Sequence, residues 1–190
     1  MNPDLRSLIY SDLHRYHGRT SFKILLHAYW RLPAFRYTYH MRKARYRRNR
    51  RGLYNRAAFA FHKWLLLRAR YRFGFQIPEL TTIGRGFYIG HFGTVVVSAS
   101  AVLGDNVNLG PGVVIGETAR GSRAGVPVIG SRVWIGSNAV IVGKIRIGDG
   151  VVIAPGALVN FDVPENSVVV GNPGQIHSAK GSEGYIQNIA

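Results

Sequence analysis

The sequence contains no cysteine, and that absence excludes disulfide bonds, thiolate metal sites and a cysteine nucleophile. Long apolar runs are also absent: the two longest apolar stretches, 22–35 and 57–67, are interrupted by Lys, Arg or His. Both are shorter than the roughly 20 residues that a membrane-spanning helix needs. The first twenty residues carry charges throughout, which does not fit a secretory signal. These absences favour a cytoplasmic protein.

Acidic residues are scarce, and their distribution divides the chain. The formal net charge is +16, from 25 Lys and Arg against 9 Asp and Glu. Residues 1–76 hold 18 of these basic residues and only two of the acidic ones, whereas most of the 23 glycines come later. We therefore predict a basic, aromatic-rich α-helical segment at 1–76, a glycine-rich domain at 77–176 and a C-terminal tail at 177–190.

A six-residue repeat runs through the glycine-rich domain. Its lead residues are always Ile, Leu or Val, and eight of the thirteen leads are followed directly by glycine. Small or branched apolar residues predominate four positions after each lead. The leads are Ile77, Ile83, Ile89, Val97, Leu103, Leu109, Ile115, Ile129, Ile135, Ile141, Ile147, Ile153 and Val159.

This period predicts a chain wound around a three-sided prism. Six is divisible by two, so the lead and the fifth residue of each repeat face the same side of an extended chain. A period of six does not fit the 3.6-residue repeat of a helix. Three repeats per turn would give about four coils with the leads stacked inside. Glycine is expected at the corners, where positive φ costs it little. A flat sheet of short hairpins is disfavoured, because Asn-Gly turns and strict alternation are missing.

Two interruptions of the repeat indicate where a site could lie. Val97 follows Ile89 by eight positions instead of six, and the interval includes His91, the only histidine of 77–176. Ile129 follows Ile115 by fourteen positions, so residues 117–125 must leave the prism as a loop. A single histidine is more often a packed or surface residue than a catalyst. Imidazole nevertheless suits a general base that removes the proton of an attacking alcohol.

Three motifs resemble those of the hexapeptide-repeat acyltransferases: Ile83-Gly-Arg-Gly-Phe-Tyr-Ile-Gly-His91-Phe-Gly, Gly116-Glu-Thr-Ala-Arg-Gly and Val170-Gly-Asn-Pro173. They are most similar to serine acetyltransferases and to O-acetyltransferases of bacterial surface polysaccharides. The resemblance implies a mainly β fold, a left-handed parallel β-helix preceded by an α-helical segment. It also implies a homotrimer with active sites between subunits, acetyl-CoA as co-substrate and no metal.

The same resemblance assigns roles to individual residues. His91 is the expected general base, and Gln76 takes the position of the carboxylate that orients the histidine in the family. Gly90, Glu117 and Arg120 are expected near the acceptor. Acetyl-CoA is expected along Gly116, Thr118, Gly136, Ser137, Pro155 and Lys180, from its thioester to its phosphates.

The departures from the family pattern bear on the acceptor. Gln76 is an amide and cannot supply a carboxylate's charge, so Glu117 is a second candidate for orienting His91. The family's Asp before the histidine and its Arg-His pair in the loop read Gly90 and Gly125-Val126 here. Burying an ammonium and a carboxylate without partners is costly, which favours an uncharged hydroxyl. We predict a sugar hydroxyl of a capsular or exopolysaccharide, or of its precursor. Serine O-acetylation for cysteine biosynthesis and a non-catalytic, membrane-associated β-helix scaffold are the alternatives.

The basic segment has its own alternatives. A helix is predicted from Asn2-Pro3-Asp4, further helices carry Trp30 and Trp64, and seven of the ten residues 42–51 are basic. Aromatic rings interleaved with basic residues are typical of contact with an anionic membrane surface or a polyanionic glycan. Packing between subunits is the second alternative, and nucleic acid is the least favoured because no motif for it is present. We predict peripheral contact with the inner face of the cytoplasmic membrane.

Overall fold

The structure is a computed structural model that describes residues 3–190. Four helices come first: α1 (Pro3–His17), α2 (Phe22–Arg31), α3 (Pro33–Arg48) and α4 (Leu53–Phe73). The helix predicted from Asn2 is described from Pro3 onward, because Asn2 lies outside the described residues. Short strands follow: β1 (Phe75–Gln76), β2 (Thr82–Ile83), β3 (Tyr88–Ile89), β4 (Val95–Val97), β5 (Val102–Leu103), β6 (Asn108–Leu109), β7 (Val114–Gly116), β8 (Val128–Ile129), β9 (Trp134–Ile135), β10 (Val140–Val142), β11 (Arg146–Ile147), β12 (Val152–Ile153), β13 (Leu158–Val159), β14 (Val168–Val170) and β15 (Gln175–Ser178).

The strands build the predicted prism. Every third strand pairs in parallel, which gives a first face β1-β4-β7-β10-β13 and a second face β2-β5-β8-β11. The third face has the order β3-β6-β9-β12-β14, with β15 antiparallel at its edge. Strands β1–β12 therefore make four complete coils, and β13 and β14 continue the winding. The predicted left-handed parallel β-helix with a helical N-terminal segment is confirmed.

The lead residues form the core of the prism. All thirteen are buried, and the most accessible of them, Ile83, is only 8% exposed. On the third face, Ile89, Leu109, Ile135 and Ile153 stand in register on successive coils, so their side chains stack along the axis. Apolar residues of α3 and α4 such as Met41 join the same core, and the helices and the prism are packed as one body.

Six of the eight glycines that follow the leads are there for a different reason from the one predicted. None of these eight glycines has positive φ; that conformation falls two residues later, at Gly112 and Asn138 for example. A Cβ on Gly110 would lie 2.7 Å from the backbone nitrogen of Ser137, and one on Gly136 would lie 2.6 Å from that of Pro155. Because the next coil passes this close, a side chain at these positions would clash with backbone. The expectation of positive φ at these glycines is therefore wrong.

Side chains of α1 and α3 cap the open edge of the first coil. Arg42, which is 4% exposed, binds Asp12 at 3.0 Å and donates to the carbonyl oxygen of Ile83 at 2.6 Å. Arg45 donates to the carbonyl oxygens of Leu80 and Thr81. These bonds satisfy backbone groups at the open edge of the first coil, where an unpaired strand would otherwise be free to pair with another chain.

The cap also accounts for part of the basic run 42–51. Arg48 and Lys63 hold the buried carboxylate of Glu79 at 3.0 and 2.8 Å. Burial alone would raise the pKa of Glu79, but Lys63 and Arg48 lower it below its usual value. The prediction that the whole run faces a lipid surface is therefore wrong for Arg42, Arg45 and Arg48, which bind the protein itself.

The predicted segment boundaries are displaced by a few residues. Gly74 ends α4 in the left-handed conformation, and the first face begins at Phe75, before the predicted start of the β-helix at residue 77. Strand β15 crosses the predicted boundary at residue 176. None of the helices described within residues 3–190 is long and apolar enough to cross a membrane.

Candidate active site

His91 lies at the widened corner between β3 and β4, and its side chain is exposed. The backbone before it is fixed from two sides. The hydroxyl of Tyr16 on α1 donates to the carbonyl oxygen of Ile89 at 3.2 Å and accepts from the Ile89 N–H at 3.3 Å. The N–H of Gly90 donates to the carbonyl oxygen of Leu109 on the next coil. The corner that carries His91 is therefore held by both the helices and the prism.

Burial supports this attachment. It raises the pKa of Tyr16 well above that of an ordinary tyrosine, and the hydrogen bond to Ile89 only partly opposes the rise. The hydroxyl of Tyr16 thus keeps the proton that it donates to Ile89 at any physiological pH.

The register of the third face places several predicted residues on the same corner as His91. Two residues beyond the aligned leads Ile89, Leu109, Ile135 and Ile153 come His91, Pro111, Ser137 and Pro155. Gly136 precedes Ser137 as Gly90 precedes His91. Five of the predicted site residues, Gly90, His91, Gly136, Ser137 and Pro155, therefore follow one edge of the prism.

A cavity of about 340 Å³ opens beside His91. Its walls come from four parts of the chain that are distant in sequence: α1, the outer side of the third face, the His91 corner and the C-terminal tail. They include Arg15, Tyr88, Asn108, Trp134, His91, Ser137, Tyr185 and Gln187. The tail contacts this wall through the Tyr185 ring, whose centroid lies 5.1 Å from that of Trp134. The cavity is thus polar and aromatic, with an imidazole on its rim.

Sequence reasoning missed most of these walls. Tyr88, Asn108 and Trp134 stand in register on the outer side of the third face, each directly before a lead. Aligning the repeats in groups of three would have shown this polar and aromatic row, because such residues are uncommon between apolar leads. Nothing in the local sequence marks Arg15 or the tail, since only the tertiary fold brings them to the corner.

The extruded loop lies at a different corner. It leaves the prism after Gly116, between the first and second faces, and Thr118 and Gly125 close it with two hydrogen bonds of 3.0 and 2.9 Å. Glu117 and Arg120 are exposed on it. His91 lies between the third and first faces, so the width of the first face separates it from the loop. One chain alone does not bring Glu117 or Arg120 to His91.

Two further predicted residues lie outside the His91 cavity. Gln76 is half-buried in β1 and lines a separate cavity of about 400 Å³ with Lys63 and Glu79. Lys180 is exposed in the tail. An orienting role for Gln76 and a phosphate-binding role for Lys180 stay predictions.

The charge of the cavity walls is positive. Among the residues of 3–190 that line it, none is Asp or Glu, and Arg15 is the one Lys or Arg. Arg15 is 4% exposed, and burial lowers its pKa from the very high value of a free arginine. A guanidinium stays protonated in proteins even so. The site can therefore combine proton transfer at His91 with attraction of an anion.

Comparison with known proteins agrees with the fold and the repeat. The family description "Bacterial transferase hexapeptide (six repeats)" matches residues 127–160. The chain is 34% identical over 121 residues to a serine acetyltransferase of Helicobacter pylori, an alignment that covers 64% of this chain and 71% of that enzyme.

Larger enzymes are also similar to this chain. Serine acetyltransferase 4 of Arabidopsis thaliana is 38% identical over 104 residues, which are 55% of this chain and 29% of the plant enzyme. The chain thus spans less than a third of that relative's length. The crystal structure of a Brucella abortus serine acetyltransferase in complex with coenzyme A superimposes with a TM-score of 0.77 at 29% identity. It covers 95% of this chain and 70% of that one, so the four helices are part of the similarity.

Proposed function

We propose that the chain, which belongs to the hexapeptide-repeat acyltransferase family, transfers an acetyl group from acetyl-CoA to a hydroxyl group. His91 is the general base of this reaction. The observation that carries this proposal is the position of His91. Its imidazole is exposed on the rim of a polar cavity, on the same prism edge as Gly136, Ser137 and Pro155. A packed structural histidine would instead be buried among apolar side chains.

The proposed reaction is a direct transfer within a ternary complex. The imidazole of His91 accepts the acceptor's hydroxyl proton as the oxygen attacks the thioester carbonyl. The tetrahedral intermediate carries a negative oxygen that backbone N–H groups of the corner could stabilise. Collapse breaks the carbon–sulfur bond, and the imidazolium returns the proton to the leaving thiolate, so His91 ends as it began.

We place acetyl-CoA between subunits of a trimer. The His91 corner and the loop at 117–125 lie on opposite edges of the first face, so they can meet only across two copies of the chain. A threefold arrangement would bring Gly116, Glu117, Thr118 and Arg120 of one subunit toward His91 of the next. The Brucella abortus relative is described in complex with coenzyme A, which supports the choice of acetyl donor.

Serine is the first candidate acceptor, since all the relatives described above are serine acetyltransferases. They favour it over the polysaccharide acceptor predicted from the sequence. One observation keeps a sugar hydroxyl as the second candidate: no Asp or Glu within residues 3–190 lines the cavity, so one chain offers no carboxylate to the ammonium group of serine.

The test of the proposal is the His91→Ala variant. Loss of a general base lowers the rate by about 10² to 10⁴, and an exposed side chain can be removed without loss of folding. We expect coenzyme A release from acetyl-CoA, with serine and with sugars as acceptors, to fall by this factor. Calorimetry should show acetyl-CoA binding to the variant with unchanged affinity.

His177→Ala is the matched control, because His177 is also exposed but lies in β15. Its turnover should equal that of the unsubstituted chain, and both variants should elute as trimers. Near-normal turnover in His91→Ala would remove His91 from its role. Absence of acetyl-CoA binding to the unsubstituted chain would leave only the scaffold alternative.

We further propose that the outer side of α2 and α4 contacts an anionic membrane surface. Trp30 is 67% exposed and Tyr71 81%, and both line a groove of about 600 Å³ together with Arg68 and Arg72. We call this the front groove. Aromatic rings with arginines beside them suit the interface of a bilayer, where rings enter the headgroup region and guanidinium groups meet lipid phosphates.

Charge complementarity selects this occupant over a second copy of the chain. Residues 1–76 carry all of the excess positive charge, so two such surfaces would repel each other. The arginines of the front groove, unlike Arg42 and Arg45, make no bond to the first coil. The arginines of the front groove are thus available for the predicted membrane contact, whereas Arg42 and Arg45 are used by the cap.

A further inference from the structure

The guanidinium of Arg15 faces the His91 cavity from the last turn of α1. It is 4% exposed and lines the cavity with His91 and Asn108. The ring of Tyr88, on the same wall, has its centroid 5.7 Å from the guanidinium carbon of Arg15. A buried cation beside a proposed general base requires a physical reason, because taking a charge out of water is costly.

Within residues 3–190, the hydrogen bonds of Arg15 go to neutral oxygens only. Its Nε donates to the carbonyl oxygen of Gln187 at 2.9 Å, and one terminal nitrogen donates to that of Gly86 at 2.8 Å. The other terminal nitrogen donates to Oδ1 of Asn108 at 2.7 Å. A guanidinium has five N–H groups, so one further N–H remains on each terminal nitrogen. Two N–H groups on one guanidinium match in number the two oxygens of a carboxylate.

Asp12 acts on Arg15 through its charge but makes its hydrogen bonds to other groups. Asp12 accepts two hydrogen bonds from Arg42, at 3.0 and 3.1 Å, and one from the Phe87 N–H at 2.9 Å. The buried group of Asp12, Arg15 and Arg42 therefore carries one positive charge more than it carries negative charge. The excess lies on Arg15, which is the member that borders the cavity.

Asn108 adds a donor to the same wall. Its Oδ1 accepts from Arg15, which sets the orientation of the amide and leaves its NH₂ group to face elsewhere. Asn108 is 8% exposed and lines the cavity. A guanidinium fork and an amide NH₂ side by side are donors only, and an oxyanion is the group that fits them.

From this arrangement we infer that the acceptor carries a carboxylate close to the hydroxyl that is acetylated, and that Arg15 and Asn108 bind that carboxylate. The inference rests on the proposed acetyl transfer and narrows its acceptor. It differs from the expectation of an uncharged acceptor, which took no account of Arg15. The carboxylate could belong to serine, to another hydroxy acid or to a sugar acid, all of which share this chemistry. The phosphates of acetyl-CoA are excluded as its source, because they lie at the far end of the molecule from the thioester.

Matched pairs of acceptors test the inference on the unsubstituted chain. Each pair keeps the hydroxyl and differs in the carboxylate: serine against ethanolamine, glycerate against glycerol, and glucuronate against glucose. We expect the acid of at least one pair to have a kcat/KM higher than its partner by about tenfold or more, since a site built for a polar group rejects analogues that lack it. Which acid reacts best identifies the source of the carboxylate.

Variants at the wall test the residue assignment. In Arg15→Lys the charge stays and the fork is lost, so KM for the acid should rise about tenfold or more while KM for acetyl-CoA stays the same. Arg85→Gln is the control, because Arg85 is an exposed arginine on the same side of the prism and its loss should change neither constant. Asn108→Ala provides a second variant if Arg15→Lys fails to fold.

The outcomes are distinguishable. If the member without the carboxylate reacts as well as the acid in every pair, the inference is overturned while the acetyl transfer stands. The same conclusion follows if Arg15→Lys or Asn108→Ala affects acceptors with and without a carboxylate equally. If no acceptor of either kind releases coenzyme A and acetyl-CoA does not bind, the proposed function itself fails.

Discussion

Two tyrosines show how single residues connect the helices to the prism. The Tyr16 hydroxyl bonds both backbone groups of Ile89, and the Tyr37 hydroxyl does the same with Ile77, donating at 2.8 Å and accepting at 3.0 Å. The two contacts have the same chemistry. They differ in place, because Ile89 is two residues from His91 and Ile77 belongs to the start of the first coil.

This pair allows a sharp prediction about positioning. Replacing either tyrosine by phenylalanine leaves two backbone groups without their partner, so each variant should lose about 1–3 kcal/mol of unfolding free energy. Only Tyr16→Phe should also lower kcat, by about tenfold or more, since small displacements of a reacting group are costly. KM for acetyl-CoA should not change in either variant.

Chemical denaturation and steady-state kinetics measure the two effects separately. Tyr37→Phe serves as the control for a stability loss without displacement of the His91 corner. Equal kcat values in the two variants would show that Tyr16 has a structural role only.

At the scale of residues, the sequence allowed correct prediction of features that recur at a fixed spacing. The thirteen leads were predicted correctly because burial of every sixth residue is a periodic requirement. The reason for the following glycines was wrong, because it depends on the distance between coils and not on local φ. Arg15 and Tyr16 could not be predicted as site residues, since they act on Asn108 and Ile89, which are distant in sequence.

At the scale of elements, α3 and α4 are joined by a pair of histidines. Nδ1 of His40 lies 2.9 Å from Nδ1 of His62, and the Tyr29 hydroxyl lies 3.0 Å from Nε2 of His40. The close contact requires one of the two facing nitrogens to be unprotonated. Burial is the largest cause that lowers the pKa of His40, and the charges of His62, Arg36 and Lys43 add to it. Together they lower this pKa to about 4.

The same causes act on His62. Burial and the charges of Lys43 and Arg47 lower its pKa to about 4. Both folded-state pKa values thus lie below the ordinary value of 6.5. As the pH falls below 6.5, the two histidines become protonated in the unfolded chain but not in the folded chain. Their contribution to the unfolding free energy is therefore fully present above pH 6.5 and is lost progressively toward pH 4.

We expect the midpoint temperature of thermal unfolding to decrease as the pH is lowered from about 7 to about 4.5. The decrease should be smaller in His62→Gln. His177→Gln is the control, because His177 is exposed in β15 and its loss should leave the pH dependence unchanged. Scanning calorimetry across this range measures the effect. A midpoint that falls by the same amount in His62→Gln as in the unsubstituted chain would rule out the histidine pair as its cause.

Elements were partly predictable. Helical spacing and the terminator Gly74 indicated a helical front, and the period of six indicated the β-helix. The use of this front as a cap was not visible, because the partners of Arg42 and Arg45 are backbone carbonyls, which every residue carries. The position of the extruded loop relative to His91 could likewise not be predicted, because it depends on the order of the three faces.

At the scale of the whole molecule, the positive charge serves two purposes. Part of it closes the edge of the first coil and pairs with Asp12 and Glu79, and part remains on the front groove. The sequence showed how much charge there is and where it lies along the chain. It could not separate the two purposes, since Arg45 and Arg68 look alike until the fold is known.

The front groove predicts binding to anionic vesicles. The protein should sediment with phosphatidylglycerol vesicles and not with phosphatidylcholine vesicles. Each arginine near the surface contributes about 1 kcal/mol, so Arg68→Gln with Arg72→Gln should weaken binding about thirtyfold. Added salt should weaken it further.

Arg85→Gln with Arg146→Gln is the control pair, because it removes the same charge from exposed positions on the β-helix. Equal losses from both double variants would indicate a diffuse attraction without a defined surface. Equal binding to both kinds of vesicle would contradict the membrane proposal.

The bond between Arg15 and Gln187 joins residues 172 positions apart. A ribosome adds about 5–20 residues per second, so roughly 10–30 s pass between the synthesis of α1 and that of its tail partner. Until the tail has been synthesised, the cavity beside Arg15 lacks the wall that Tyr185 and Gln187 provide. The cavity next to His91 is therefore completed at the end of translation, although the helix that supplies its charge is made first.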